Sequence, residues 1–199
     1  MLEQFTLTQP PNPAIAEKPA LSYIGPMTLR TILIHPDPRL KKACDPVTEI
    51  TDDLRAAATD MLETMYDAPG VGLAAPQVGL MKRLFVMDCI KDPEATPRPL
   101  VLMNPTITWT SDERKTYEEG CLSIPEQYAE VERPAEVRVR WLGLDGATHE
   151  EHFTGLWATC AQHEIDHLDG KLFIDYLSPL KRQLITRKME KLKRDRARG

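Results

Sequence analysis

The sequence has no run of eighteen apolar residues, so nothing in it reads as a membrane-spanning helix. Its first residues lack the basic-then-apolar pattern of a signal peptide. The first 26 residues carry a single base, Lys18, which removes a basic amphipathic targeting helix as well. Residence in the cytoplasm is the expectation. Cysteine is scarce: Cys44, Cys89, Cys121 and Cys160 are irregularly spaced with no pair within four residues, unlike a disulfide framework or a structural zinc finger. No internal repeat occurs. The chain also lacks the Gly-Lys-Ser/Thr ending that a phosphate-binding loop needs, which argues against nucleotide binding.

What remains is a globular composition, 42 % hydrophobic and 28 % charged over 199 residues, enough for one domain with decorated ends. The formal net charge of -5 hides an asymmetry. Residues 181–199 hold nine Lys or Arg against two acids, whereas the first 180 residues hold 16 bases against 28 acids. An acidic body excludes DNA as a partner and leaves the basic end as a candidate contact for an anionic surface. Equally, that end reads as the solvated face of a terminal helix.

Residues 1–26, with Pro10, Pro11, Pro13, Pro19 and Pro26, read as a loose extension, and the compact register starts near Met27. The expected core domain is 27–180, followed by 181–199 as the basic end of a C-terminal helix. Behind Thr51 as cap, Leu54, Ala58, Met61 and Met65 give a helical period that Pro69 and Gly70 stop. Short strands are expected from Leu84, from Val101 and from Thr106. Val137, Val139 and Trp141 alternate with Arg138 and Arg140 ahead of an Asp145-Gly146 turn, the pattern of a half-buried hairpin. A second helix is expected over 156–168, a possible short strand over 172–174, and a final helix after Ser178-Pro179. Strands ahead of and between helices, without βαβ alternation, indicate an α+β fold.

In QHEIDHLDG, His163 and His167 stand four apart and share one helix face, close enough to hold one ion. Glu164 lies about 100° round the helix from His163, where its carboxylate can take a proton from water at that ion. A pair of partly exposed helix histidines is the plain alternative. A tetrahedral ion that keeps a water needs a third protein ligand. Cys121, in EEGCLSIP, is the preferred donor over a carboxylate; Cys160, three residues before His163, reads as a core thiol behind the site. In GVGLAAPQVG, Gly70 and Gly72 let backbone approach a ligand, and Gln77 offers an amide N–H to developing negative charge. Alone, that segment is equally a small-residue turn beneath a sheet.

Together the three segments, GVGLAAPQ at 70–77, EGCLS at 119–123 and QHEIDHLDG at 162–170, closely resemble the signature segments of the peptide deformylases, in that family's order, over a likeness running from about Met27 to the C-terminus. The resemblance implies antiparallel strands packed around a central metal-binding helix, with a C-terminal helix. It implies Cys121, His163 and His167 as ligands of Fe(II), replaceable by Ni(II), Co(II) or Zn(II), and Glu164 as acid-base. Gln77 and the Leu122 backbone N–H become the oxyanion donors. The implied reaction removes the formyl group from the N-terminal formyl-methionine of nascent polypeptides. The peptide would dock along Gly70, Val71, Gly72 and Leu73, with Glu119, Thr159, Cys160 and His163 around the methionine pocket. Thr159 stands where relatives commonly carry a larger aliphatic residue, and Tyr128 where some carry Arg. The basic C-terminal helix would contact the ribosome. A metalloprotease, or a non-catalytic ribosome-associated metal-binding protein, are the competing readings; retention of Glu164 and Gln77 speaks against the latter, since neither is needed merely to hold an ion.

Overall fold

The computed structural model describes residues 28–92 and 94–196, so the expected extension 1–26 lies outside the described residues. Helix α1, Asp52–Asp67, starts as expected, with the Thr51 hydroxyl accepting the Leu54 N–H and Asp52 and Asp53 in the first turn. Strands β1 (Gly72–Ala74), β2 (Leu84–Met87), β3 (Leu100–Thr110), β6 (Glu136–Leu142) and β7 (Thr148–Thr154) form one sheet in the order β1-β2-β3-β6-β7, all neighbours antiparallel. A separate hairpin pairs β4, Arg114–Cys121, with β5, Ile124–Pro134. Helix α2, Gly155–Leu168, and helix α3, Pro179–Arg196, complete the set.

The sheet is covered on both faces, and β2 records this in its side chains. Leu84 and Val86 pack with Leu54, Met61 and Met65 of α1, whereas Phe85 and Met87 pack with Ala158, Ala161 and Ile165 of α2. A strand so enclosed carries apolar residues in both phases, so its four residues show no alternation. In β6 the alternation does hold: Val137, Val139 and Trp141 are buried against α2, and Arg138 and Arg140 are exposed. Helix α2 is buried along nearly its whole length, so its polar residues point into the protein.

Two expectations are revised and one element is new. The segments from Val101 and Thr106 are one strand; Pro105 is accommodated by a register shift, where Asn104 takes φ 49° and its side chain bonds both N–H and C=O of Val47. Residues 172–174 are not a strand. They enter a 3-10 turn, Phe173–Tyr176, because the Asp175 carboxylate accepts the Leu172 N–H at 2.8 Å and favours the local turn. The β4–β5 hairpin had no counterpart among the expected elements. Helix α3 inserts Ile185 and Met189 among Leu40, Ile124, Val131 and Phe173, so the charge boundary at 180/181 falls inside one packed helix. Among the described residues, no helix is long and apolar enough to cross a membrane.

Candidate metal centre and its cleft

Three elements converge on one point. Strand β4 ends at Cys121, which pairs with Ile124 across the two-residue turn Leu122-Ser123, so the thiol is held at the tip of a hairpin. Helix α2 brings His163 and His167, one turn apart, with ring centroids 5.0 Å from each other. The ligand atoms of Cys121, His163 and His167 all lie within 4.8 Å of one another, and Cys121 Sγ is 3.2 Å from His167 Nε2. One sulfur and two imidazole nitrogens at this spacing form a donor set suited to a single transition-metal ion.

The surroundings fit a cation. Nδ1 of His163 lies 2.9 Å from Glu119 Oε2. Burial works against the Glu119 anion, but hydrogen bonds from His163 and Arg133 hold its carboxyl below the ordinary range, so it accepts and Nδ1 carries the proton. Nε2 is thereby left facing the cluster. Burial likewise opposes charge on His163, yet Cys121 and Glu119 raise its pKa well above normal, whereas burial and neighbouring His163 push His167 well below. Glu164 is buried, its Oε2 has no hydrogen-bond partner among the described residues, and burial pushes its carboxyl up to about 7. A carboxyl tuned to that range exchanges a proton readily near neutral pH.

Gln77 follows β1 in a 3-10 turn, Ala75–Val78. Its Oε1 accepts the Ala74 N–H at 2.7 Å, which fixes the amide so that Nε2 points to the site, 3.4 Å from Cys121 Sγ and 3.2 Å from Ser123 Oγ. Strand β1 is the edge of its sheet. Val71 C=O accepts from Asp88 N–H, so by antiparallel alternation the backbone groups of Gly72 face the free edge. Only glycine fits there: a Cβ at 72 would lie 2.5 Å from Glu164 Oε1 and 2.7 Å from Cys160 Sγ.

A cleft of about 480 Å³ opens over these groups. Gly70, Val71, Gly72, Gln77, Glu119, Cys121, Leu122, Thr159, Cys160, His163 and Glu164 line it; His167 sits behind His163, outside the lining. Leu73 does not belong with its neighbours: the next residue in a strand faces the other way, and its side chain is buried on the α1 face. Cys160 is buried, its Sγ is 3.5 Å from Val71 C=O, and its contact with Cys89, together with burial, raises its pKa well above normal, as befits a protonated core thiol. Leu156 joins the wall beside Thr159, and Tyr117, Lys91, Glu126 and the exposed Tyr128 form the rim.

Sequence reasoning missed Arg133, Asp166 and Tyr176. Arg133 is buried and its guanidinium grips Glu119 at 2.5 and 3.0 Å and Asp166 at 2.8 Å. A signal existed: Ala129, Val131 and Arg133 occupy one phase of β5, and a charge on the apolar phase of a strand calls for a buried partner.

The sequence model of the polypeptide deformylase family matches residues 29–183. A peptide deformylase of Rhizorhabdus wittichii is 54 % identical over 174 residues, covering 85 % of this chain and 98 % of the relative. The crystal structure of a peptide deformylase from Legionella pneumophila superposes with a TM-score of 0.79 at 46 % identity, covering 86 % of this chain and 99 % of that one. A class I type b peptide deformylase from Acinetobacter baumannii, solved with Met-Ala-Ser bound, is similar with a TM-score of 0.71 at 35 % identity, over 76 % of this chain and 99 % of that one.

Proposed function

This chain belongs to the polypeptide deformylase family, and from that premise we propose how its own residues carry out the family's reaction. The reaction is hydrolysis of the N-terminal formyl group of formyl-methionyl polypeptides to formate and a free amine. We assign Cys121, His163 and His167 as ligands of one divalent ion, Fe(II) by likeness to the family, with Ni(II), Co(II) or Zn(II) as substitutes that the same thiolate and imidazole donors also suit. When bound, the ion polarises the formyl carbonyl and lowers the pKa of a water molecule.

The peptide lies extended along β1, where the outward N–H and C=O of Gly72 extend the sheet by one strand and read backbone, not sequence. The first side chain enters the space walled by Leu156, Thr159, Cys160 and Glu119. Glu164 Oε1 sits against Gly72, so its carboxyl lies beside the scissile amide of a peptide on that edge. Glu164 takes the proton of the attacking water and passes it to the departing nitrogen. Negative charge develops on the formyl oxygen near Cys121; there Gln77 Nε2 turns a hydrogen from the sulfur to that oxygen, and the Leu122 N–H donates beside it. The Met-Ala-Ser tripeptide bound by the Acinetobacter baumannii relative has the composition of a deformylated product and supports the reaction class.

The observation that carries the assignment is the Cys121–His163–His167 cluster beside the buried Glu164 carboxyl, whose Oε2 has no hydrogen-bond partner among the described residues. Anaerobically purified protein, assayed for metal content and for formate release from formyl-Met-Ala-Ser, tests it. Glu164→Ala is expected to keep one ion per chain and lose on the order of 10²-fold or more in turnover. Near-normal formate release would remove Glu164 from the mechanism, and unchanged metal in Cys121→Ser would remove Cys121 from the ligand set.

We also propose that residues 27–180 with the packed part of α3 form the catalytic unit, working in the cytoplasm at the ribosome, whose RNA phosphates the exposed bases of α3 would contact. Truncation at 180 would strip Ile185 and Met189 from the core, so charge reversal of Lys181, Arg187, Lys191 and Arg194 is the cleaner test. Ribosome co-sedimentation equal to wild type at moderate salt would reject the contact.

A further inference from the structure

Behind the ligand cluster, bordering the cleft only at His163 and Glu119, runs a second chain of polar groups. It starts at His163 Nδ1, which donates to Glu119 at 2.9 Å. Glu119 is held through both oxygens by the Arg133 fork, and Arg133 Nη1 reaches Asp166 at 2.8 Å. The last member is Tyr176, at the end of the 3-10 turn Phe173–Tyr176. Its hydroxyl donates to Asp166 at 2.9 Å, and its ring lies under the Arg133 guanidinium, 4.8 Å from centroid to Cζ. The same turn lays the Phe173 ring against His163, with centroids 6.3 Å apart at 22°. Glu119, Arg133 and Asp166 are buried, whereas Tyr176 is half exposed and covers Arg133 and Asp166.

We propose that Tyr176 is a positioning residue for the metal centre: through Asp166 and Arg133 it fixes Glu119, and through Glu119 the orientation of the His163 ring. The inference rests on the ligand set assigned above. The partner of a ligating histidine's second nitrogen sets ring tautomer and tilt, and such partners matter to metal retention nearly as much as the ligands. Glu119 can serve in that role only while its own rotation is blocked. Arg133 blocks it with two parallel bonds, but the guanidinium must in turn be seated. Asp166 seats one edge and the Tyr176 ring seats one face. Burial and Asp166 raise the Tyr176 pKa, so the hydroxyl remains a donor across the working range. No atom of Tyr176 lines the cleft, and it reaches the substrate side only through Glu119.

The test uses the full-length protein loaded with Ni(II) or Co(II). Metal release into excess chelator, the Co(II) ligand-field spectrum, kcat and KM on formyl-Met-Ala-Ser, and thermal unfolding are compared among wild type, Tyr176→Phe and Tyr176→Leu. Tyr176→Phe, which keeps the ring, is expected to release metal about three- to tenfold faster, below the 10–100-fold of a direct histidine partner. Its Co(II) bands should shift and kcat fall, with KM within about twofold of wild type. Tyr176→Leu should go further on every readout except KM. Wild-type release and spectrum in Tyr176→Phe, with or without a lowered Tm, would overturn the proposal even if Tyr176→Leu fails to fold. Wild-type protein that retains no ion would overturn the ligand set and this inference together, whereas a retained ion with an indifferent Tyr176 overturns only the latter.

Discussion

Two antiparallel hairpins present side chains to α2, and they treat their inward faces differently. In β6–β7 the inward phase is apolar, with Val137, Val139, Trp141 and Phe153 packed on the helix. In β4–β5 the inward phase mixes Ala129 and Val131 with Arg133, while Tyr117, Glu119 and Cys121 share one phase of the facing strand. The first hairpin stabilises by removing carbon from water. The second does so only because every buried charge meets a fixed partner: Arg133 with Glu119 and Asp166, Glu119 with His163. A wholly apolar β4–β5 face would pack as well, yet would leave nothing to orient the histidine. Stability and function are thus divided between two copies of one motif.

Unequal damage should break that symmetry. The largest effect is expected from Arg133→Leu, which leaves the Glu119 and Asp166 charges buried without a counter-ion. A loss of about 3–5 kcal/mol in denaturant unfolding, with metal lost as well, is the expected outcome. Next comes a pH effect confined to the polar side. In metal-stripped protein the Glu164 carboxyl titrates near 7 against an ordinary 4.5. Between those values the unfolded chain has released this proton and the folded protein keeps it, so the Glu164 contribution makes stability fall as pH rises through that window. Glu164→Gln should flatten that dependence; the same change in unfolding free energy between pH 5 and 7 for wild type and variant, measured by urea titration, would deny the burial effect. Val139→Ala should cost about 2 kcal/mol, the lost methyls plus a small cavity, at all pH values and with metal content intact. Arg138→Ala is the smallest: the exposed Arg138–Glu150 pair is 3.9 Å apart, and a change within about 0.5 kcal/mol is expected.

The legibility of the two hairpins in the sequence follows the same division. Val-Arg-Val-Arg-Trp with an Asp-Gly turn announces β6–β7 because burial and hydropathy coincide there. In β4–β5 they do not: Glu119 and Arg133 are buried charges, Gly120 and Pro125 interrupt the run, and a pattern search that places charges outside finds no strand. Gly120 has a local reason, since a Cβ there would lie 2.6 Å from the Tyr128 ring across the hairpin. The same mismatch hid Arg133, Asp166 and Tyr176 while exposing His163, Glu164 and His167, whose spacing is a property of one helix. Leu73 shows the converse: it stands in the same glycine-rich segment, yet strand geometry turns its side chain to the α1 face.

The amino-acid order alone determined what lies within a turn or a strand's length: the helix from Thr51, the two histidines on one face of α2 with Glu164 beside them, and a glycine-rich segment that lets backbone approach a ligand. Folding decided what joins across distance, bringing Cys121 to within 3.2 Å of His167 and Arg133 into the grip of two carboxylates from separate elements. Periodicity is written in neighbouring residues. The pairing of buried charges depends on which surfaces meet, and only the closed chain sets that.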